Sequence, residues 1–331
     1  MTSAMYDLVP GPMRQGPGRR SSIGGWRWSD RLMMLGAWAA GLFLCLTAAA
    51  IVIYFAVRGV EYLNPQLIFE RPQVSASQSG SGGFLDPLLG TLLLTAIGMA
   101  IATPLAVATA VWLVEYGRPA KLARIVELCI EIVAGTPDIA IAVFGVAVFQ
   151  LSFTGIFSST SEAGVVVGRS FLAAGATLSL IAIPPLFVAT RDGLQAVPSH
   201  MREAAFALGK TRIATIRRVV LPSVRSNIGT GATLGISRII GDTAIVILLV
   251  GNTARIESVG GVPGVNVLRG LGSTLTTYIY GNSPAGEGGA PQKAYAAAFL
   301  LLLFILALNA LVGRLSSAHA RRSGLDALGA P

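Results

Sequence analysis

The feature that most constrains this chain is a series of long apolar runs that carry almost no charge. A helix needs about 20 mostly apolar residues to cross the hydrocarbon core of a bilayer. Only 12% of the 331 residues are charged, about half of the ~25% that is usual in soluble domains. Lipid is therefore the main solvent that the sequence predicts. We expect an all-α membrane protein with six spans, at about 32–57, 88–114, 125–151, 170–189, 227–250 and 294–312.

The basic residues predict how these spans are oriented. The two tails and the loops after the second and fourth spans carry 18 Lys and Arg residues, whereas the alternate loops carry 6. Cytoplasmic segments are the richer in Lys and Arg, so both termini are predicted to be cytoplasmic. Because the net charge of +9 is spread between apolar runs and not over one soluble face, it does not indicate a nucleic-acid partner.

The same pattern divides the chain into three parts. Residues 1–30 are predicted to be a basic, disordered cytoplasmic tail, residues 31–315 a transmembrane domain, and residues 316–331 a short cytoplasmic tail. Small residues at Gly231 and Gly235 are spaced for close packing against a neighbouring helix. No His or Cys spacing suits a metal, and we predict no metal site and no catalytic residue.

The predicted cytoplasmic loop 191–225 is the most informative segment. It is polar and basic but rich in helix formers. A first helix is expected from Ser199, with Ser199 as its N-cap, and Gly209 is expected to end it. A second helix is expected over 211–220, ending at Leu221-Pro222. The loop thus reads as a hairpin of two helices against the cytoplasmic face. A lipid-anchoring amphipathic helix is the plainer alternative.

The residue pattern of this loop resembles the signature EAA loop of ABC-importer permeases. The matching residues are Glu203, Ala204, Ala205, Gly209, Leu221 and Pro222, with nine residues between the glycine and Val219. The resemblance implies a type I ABC-importer permease fold in a bacterial cell membrane. It also implies that the loop docks on a separate ATPase and passes its motion to the membrane helices.

One segment of the loop invites a different interpretation. Gly209-Lys210-Thr211 looks like the end of a phosphate-binding P-loop, but Ala204 stands where the first glycine is needed and no strand precedes it. We therefore expect no cofactor in this chain and no enzyme activity of its own. ATP and Mg are expected on the partner ATPase.

From about residue 27 to 314 the chain is similar to phosphate-transporter permeases of the PstA type. The resemblance rests on the runs Gly90–Thr95, Tyr116-Gly117, Ala134–Pro137 and Ser237–Ala244. It implies a path for phosphate and three kinds of partner. These are a PstC-like second permease, two PstB-like ATPase subunits and an extracytoplasmic PstS-like phosphate-binding protein, all assembled in membrane lipid.

Arg238 and Asp242 stand out within the predicted fifth span, because charges inside a span are costly and usually functional. They are four residues apart and are expected to share a helix face. The planar fork of Arg238 suits an oxyanion, and Asp242 is expected to hold it in position and to accept a proton from phosphate. The resemblance places Arg238, Asp242 and Thr243 in the substrate pathway. A structural ion pair that only fixes the helix remains open.

Two positions depart from the family pattern. The family usually has Glu in place of Asp242 and Ser near Asp138, and the sequence leaves open whether Asp138 repels an anion or pairs with a basic group. Glu127 and Glu131 are expected to pair with Lys121 and Arg124 at the membrane interface.

Three other functions stay open at the level of sequence. One is an ABC permease for another oxyanion, such as sulfate, molybdate, tungstate or phosphonate. The second is an ion-coupled secondary transporter or channel, which would not need an EAA loop. The third is a membrane protein that reports the phosphate supply.

Overall fold

The structure, a computed structural model, describes residues 28–63, 65–72, 83–157, 166–253, 256, 265–284 and 290–328. Most of this part is helical, as predicted, whereas the predicted N-terminal tail lies almost wholly outside it. In chain order the helices are α1 (Trp28–Tyr62), α2 (Pro65–Phe69), α3 (Leu85–Val111, continued by a π-helical turn at Trp112–Tyr116), α4 (Ala120–Gly135), α5 (Asp138–Phe149), a 3-10 turn (Ser152–Phe157), α6 (Phe171–Ala196), α7 (Ser199–Ala207), α8 (Arg212–Thr215, continued by a π-helical turn at Ile216–Val220), α9 (Leu221–Ser223), α10 (Arg225–Gly241), α11 (Ala244–Leu249), α12 (Val265–Arg269), α13 (Leu275–Asn282) and α14 (Pro291–Leu328).

Four helices in the described part are long and apolar enough to cross a membrane: α1, α3 with its π turn, α6, and α14 up to Arg314. α4 and α5 qualify only together, as a broken span bent by 108°. The predicted fifth span is also divided, between α10 and α11, and is not among the qualifying helices. The described residues thus contain four such spans, or five if the bent pair is one span, where six were expected. The predicted third span, 125–151, corresponds to this bent pair of helices.

Proline explains the break between α4 and α5. Thr136 is extended, with ψ 133°, and Pro137 follows with ψ 136°. A residue before proline is pushed out of the helical region by the proline ring, so α4 ends there and α5 restarts at Asp138. Pro104, by contrast, lies inside an uninterrupted α3.

The described residues form two compact units, divided after Tyr54. The first contains the N-terminal part of α1, whose large apolar side chains are exposed, as lipid-facing side chains would be. In the second unit, the end of α1 packs on α14. A Cβ at Gly59 would lie 2.9 Å from the carbonyl oxygen of Tyr295.

The core of the second unit is built on α6, the most buried of the candidate spans. α3 and α10 pack against it through small residues. A Cβ at Gly231 would lie 2.9 Å from the Cα of Leu186, and one at Gly235 would lie 3.5 Å from Ala182. The predicted packing role of this glycine pair is confirmed, because small residues let helix backbones approach closely in a membrane.

Candidate functional site

The break between α10 and α11 determines where Asp242 points. Asp242 is extended, with ψ 127°, and is only 7% exposed. Its carboxylate accepts a 2.7 Å hydrogen bond from the backbone N–H of Ile245, one of the free donors at the start of α11. Thr243, half-buried, lies between them at the N-cap position. The carboxylate of Asp242 thus serves the start of the next helix.

Arg238 pairs instead with Asp138. Nη2 of Arg238 lies 3.4 Å from Oδ1 of Asp138, and both side chains are 40% exposed. The prediction that Asp242 is the ion-pair partner that holds Arg238 is wrong, because Arg238 pairs with Asp138 and the carboxylate of Asp242 accepts a hydrogen bond from the start of α11. The alternative that Asp138 pairs with a basic group is confirmed. Arg238 lies in the last turn of α10 and Asp138 is the first residue of α5, so the pair joins residues that lie next to the two breaks.

This ion pair engages only a small part of the hydrogen-bonding capacity of the Arg238 guanidinium. The contact with Asp138 is its single side-chain hydrogen bond in the described part of the chain, and a guanidinium has five N–H donors. Arginine can present two parallel donors to a carboxylate or a phosphate. An exposed arginine with one long contact is therefore able to bind an oxyanion without first breaking a strong partner.

The loop 191–225 forms the predicted helical hairpin, with α7 as its first arm. Glu203 and Ala204 are exposed on α7, whereas Ala205 is buried. Gly209 has a φ of +72°, a left-handed conformation that favours glycine. The N–H of Lys210 closes the turn onto the carbonyl of Ala205. Of the two motif alanines, therefore, only Ala204 is accessible to a partner.

Two details of the predicted hairpin are wrong. Ser199 is the first residue of α7, and Pro198 occupies the N-cap position, where it provides no side-chain cap. The second arm does not end at Leu221-Pro222, since Leu221 and Pro222, both half-buried, continue as α9. Pro222 lies in the first turn of α9, where a proline is tolerated because the N–H that it lacks would have no helical partner.

A cluster at the base of the hairpin was not predicted. The guanidinium of Arg202, on α7, lies 2.9 Å from Oε1 of Glu115 in the π turn that ends α3. In the same turn, the ring of Tyr116 lies 4.5 Å from the guanidinium carbon of Arg212 on α8. The available sequence signal was Glu115 itself, an acid at the end of an apolar span.

The expected interfacial ion pairs on α4 differ from those found. Glu127 pairs with Arg191 on α6 at 3.5 Å, and not with Lys121 or Arg124 on its own helix. α4 is thereby joined to the core helix.

Comparison with known proteins places this architecture in a family. Residues 102–322 match the profile of the family described as "binding-protein-dependent transport system inner membrane component". The chain belongs to this family. It is therefore a multi-pass inner-membrane component of a transport system that works with a binding protein, and the predicted permease class is confirmed.

Several curated relatives are similar over most of their length. The chain is 30% identical over 247 residues to "Phosphate transport system permease protein PstA 1" of Mycobacterium tuberculosis (strain ATCC 25618 / H37Rv), covering 74% of this chain and 73% of the relative. It is 28% identical over 287 residues to the PstC protein of Xylella fastidiosa (strain 9a5c), covering 83% and 84%. The PstA protein of Haemophilus influenzae is 27% identical over 285 residues, covering 86% and 93%.

Solved structures agree on the fold. A chain of a bacterial alginate ABC transporter, in complex with an alginate-bound periplasmic protein, superposes with a TM-score of 0.56 at 15% identity, covering 89% of this chain and 95% of that one. A chain of the MetNI methionine ABC transporter gives 0.51 at 20% identity, covering 72% and 94%. The expected ABC-importer permease fold is confirmed.

Proposed function

We propose that this chain is one of two permease subunits of an ABC importer and forms with the other a membrane path for inorganic phosphate. The proposal is supported by the phosphate-transport names of its relatives. The single structural observation that carries it is Arg238, an exposed arginine between two broken helices, with one long contact to a carboxylate.

In this proposal Arg238 binds the anion and Asp138 is its resting counterion. Phosphate replaces the 3.4 Å contact with two charge-assisted hydrogen bonds to the guanidinium. Asp138 then accepts a hydrogen bond from the P–OH group of the phosphate, which sulfate lacks at neutral pH. This role falls to Asp138 because the carboxylate of Asp242 is engaged by Ile245. Asp242 and Thr243 shape the path by starting α11.

The 191–225 loop would dock on the ATPase through its exposed surface, which includes Glu203, Ala204 and Gly209. We place this loop and both termini in the cytoplasm. The chain carries out no covalent chemistry in this proposal. The partners are a PstC-like permease, two PstB-like ATPase subunits that bind ATP and Mg, and a PstS-like binding protein outside the membrane.

The test is phosphate uptake in cells that lack their own high-affinity system and express this chain with its partners. We expect uptake that depends on an intact ATPase and is unaffected by excess sulfate. A complex whose ATPase cannot hydrolyse ATP is the matched control, because it keeps every subunit in place.

Each contrary result identifies a different function. Competition by sulfate, molybdate, tungstate or phosphonate would show a permease for another oxyanion. Uptake that persists with the inactive ATPase would show a secondary transporter or channel. Absence of any phosphate uptake, with all subunits present in the membrane, would reject phosphate as the substrate.

A further inference from the structure

The π-helical turn at Trp112–Tyr116 holds both arms of the hairpin at once. Its Glu115 contacts α7 and its Tyr116 contacts α8. Adjacent residues of one rigid turn therefore reach the two helices that flank Gly209. π-helical turns inside longer helices are frequent at functional sites. We call Glu115, Tyr116, Arg202 and Arg212 the hairpin clamp.

The α7 side of the clamp is fixed by several strong contacts. Nε of Arg202 donates to Glu115 at 3.0 Å, Nη1 donates to the carbonyl of Val197 at 2.8 Å, and Nη2 donates to the carbonyl of Leu194 at 3.0 Å. The Arg202 and Glu115 side chains are 21% and 9% exposed. Arg202 thus ties α7 to the ends of both α3 and α6. A half-buried arginine with this many partners has little freedom to reorient.

The α8 side of the clamp is a stacked contact. The guanidinium of Arg212 lies over the ring of Tyr116, well within the ~6 Å range of a cation–π interaction. Gly117 ends the turn with a φ of +42°, and its N–H donates to the carbonyl of Trp112 at 2.8 Å. The turn that presents the ring therefore depends on a left-handed glycine.

From these contacts we infer that the hairpin clamp makes the loop and α3 move as one body, so that movement of the loop reaches the substrate path through α3. α3 packs directly on α10: a Cβ at Gly98 would lie 2.8 Å from Cδ1 of Ile239, the neighbour of Arg238. Packed side chains of this kind transmit displacement between sites. The inference rests on the proposed docking of the ATPase at the loop; its spin-label test needs no substrate, and its hydrolysis test also uses the proposed substrate, phosphate.

Spin-label distances test the clamp without any substrate. In the assembled complex, with Cys45 and Cys129 replaced by serine, labels at Arg217→Cys on the loop and Leu105→Cys on α3 report the loop-to-helix distance. Both labelled positions are exposed. We expect one narrow distance distribution that is unchanged when ATP is added to an ATPase unable to hydrolyse it.

Paired variants test the ring and the charge of the clamp, and copurification of the ATPase with the double variant checks that the chain is still folded. Tyr116→Leu combined with Glu115→Gln removes the ring and the charge, and we expect it to broaden the distribution. Tyr116→Phe keeps the ring and should behave as wild type. The inference is overturned if the wild-type distance shifts with ATP, if the double variant stays narrow, or if Tyr116→Phe broadens the distribution as well.

A second measurement tests whether the hairpin clamp acts as a relay, which transmits movement, or as part of the surface that binds the ATPase. The ATPase subunits should copurify with the double variant as they do with wild type, because Glu203 and Ala204 are unchanged. Stimulation of ATP hydrolysis by the binding protein loaded with inorganic phosphate should fall by about 5-fold or more, the lower end of coupling between distant sites. Loss of the ATPase from the double variant alone would overturn the relay. Loss from wild type would instead reject the proposed function.

Discussion

Arg202 and Arg238 each face one carboxylate, but their surroundings are different. Arg202 donates to Glu115 and to two backbone carbonyls, and its carboxylate partner is 9% exposed. Arg238 makes one contact of 3.4 Å with Asp138, and both side chains are 40% exposed. The same pair of chemical groups thus has several additional hydrogen bonds at the base of the hairpin and a single contact beside the two helix breaks.

The difference indicates how an arginine is used in this chain. A largely buried pair whose arginine has several partners resists exchange of its partner, because removing one member leaves an uncompensated charge. An exposed pair held by one long contact contributes little to stability, so a ligand can displace it at small cost. The first arrangement suits transmission of movement, and the second suits binding. The predictions below test this contrast.

The largest expected effect is on stability at the buried pair. Glu115→Ala should lower the free energy of unfolding by about 3–5 kcal/mol, because the half-buried Arg202 would lose its counterion. Asp138→Ala is the matched control and should lower it by less than about 1 kcal/mol. Thermal unfolding of the purified protein in detergent measures both. Equal losses would contradict the contrast between the two pairs.

The next largest effect is on transport at the exposed pair. Arg238→Ala should reduce uptake by about 100-fold, within the ~2–5 kcal/mol typical of losing one member of a charged hydrogen-bonded contact. Its thermal stability should be close to that of wild type. Arg124→Ala is the control, since Arg124 is also an exposed arginine. If Arg238→Ala transports normally at equal membrane levels, the site must be reassigned.

A smaller effect is expected at the glycines beside the two pairs. Gly117→Ala should destabilise the protein by about 1–2 kcal/mol, because a residue with a Cβ is strained in the left-handed region. The new Cβ would also lie 2.7 Å from the carbonyl oxygen of Leu113. Gly135, at the end of α4, has no such neighbour within 4 Å, so Gly135→Ala should cost nothing measurable. Circular dichroism melting curves of the two variants provide the comparison, and an equal loss would show that the turn is not special.

Local sequence patterns correctly predicted the structural features that are determined by residues close together in the chain. Apolar runs, the left-handed Gly209 and the helical hairpin were all recoverable, because each follows from composition or from one turn of backbone. Pro137 is evident in the sequence, but a helix can either continue through a proline inside an apolar run or break there. At Pro104 the helix continues, whereas at Pro137 it bends by 108°, so the presence of a proline does not by itself predict where a span breaks.

Partners distant in sequence could not be predicted. Arg238 and Asp138 are 100 residues apart, and Arg202 and Glu115 are 87 apart. The four-residue spacing of Arg238 and Asp242 favoured a local pair, because the spacing rule assumes a continuous helix. The helix ends at Gly241, and the first free N–H groups of α11 then provide nearer donors for the carboxylate. The helix break after Gly241, which no residue pattern predicted, thus changes the partner of Arg238.

The smallest expected effect, on selectivity, is at Asp138. Asp138→Asn should leave stability within about 1 kcal/mol of wild type, since the pair is exposed, and should keep Arg238 available to an anion. An asparagine can donate a hydrogen bond to sulfate, which the carboxylate cannot, and the negative charge that disfavours sulfate is gone. The preference for phosphate over sulfate should therefore fall by about 10-fold or more, since one hydrogen bond to a charged group contributes ~1.5–3 kcal/mol. Phosphate uptake competed with graded sulfate measures this ratio, with Asp242→Asn as the matched variant. If Asp242→Asn shifts the ratio and Asp138→Asn does not, the carboxylate of Asp242 is the group that discriminates phosphate from sulfate. The exposed pair of Arg238 and Asp138 then serves only to hold the two broken helices together.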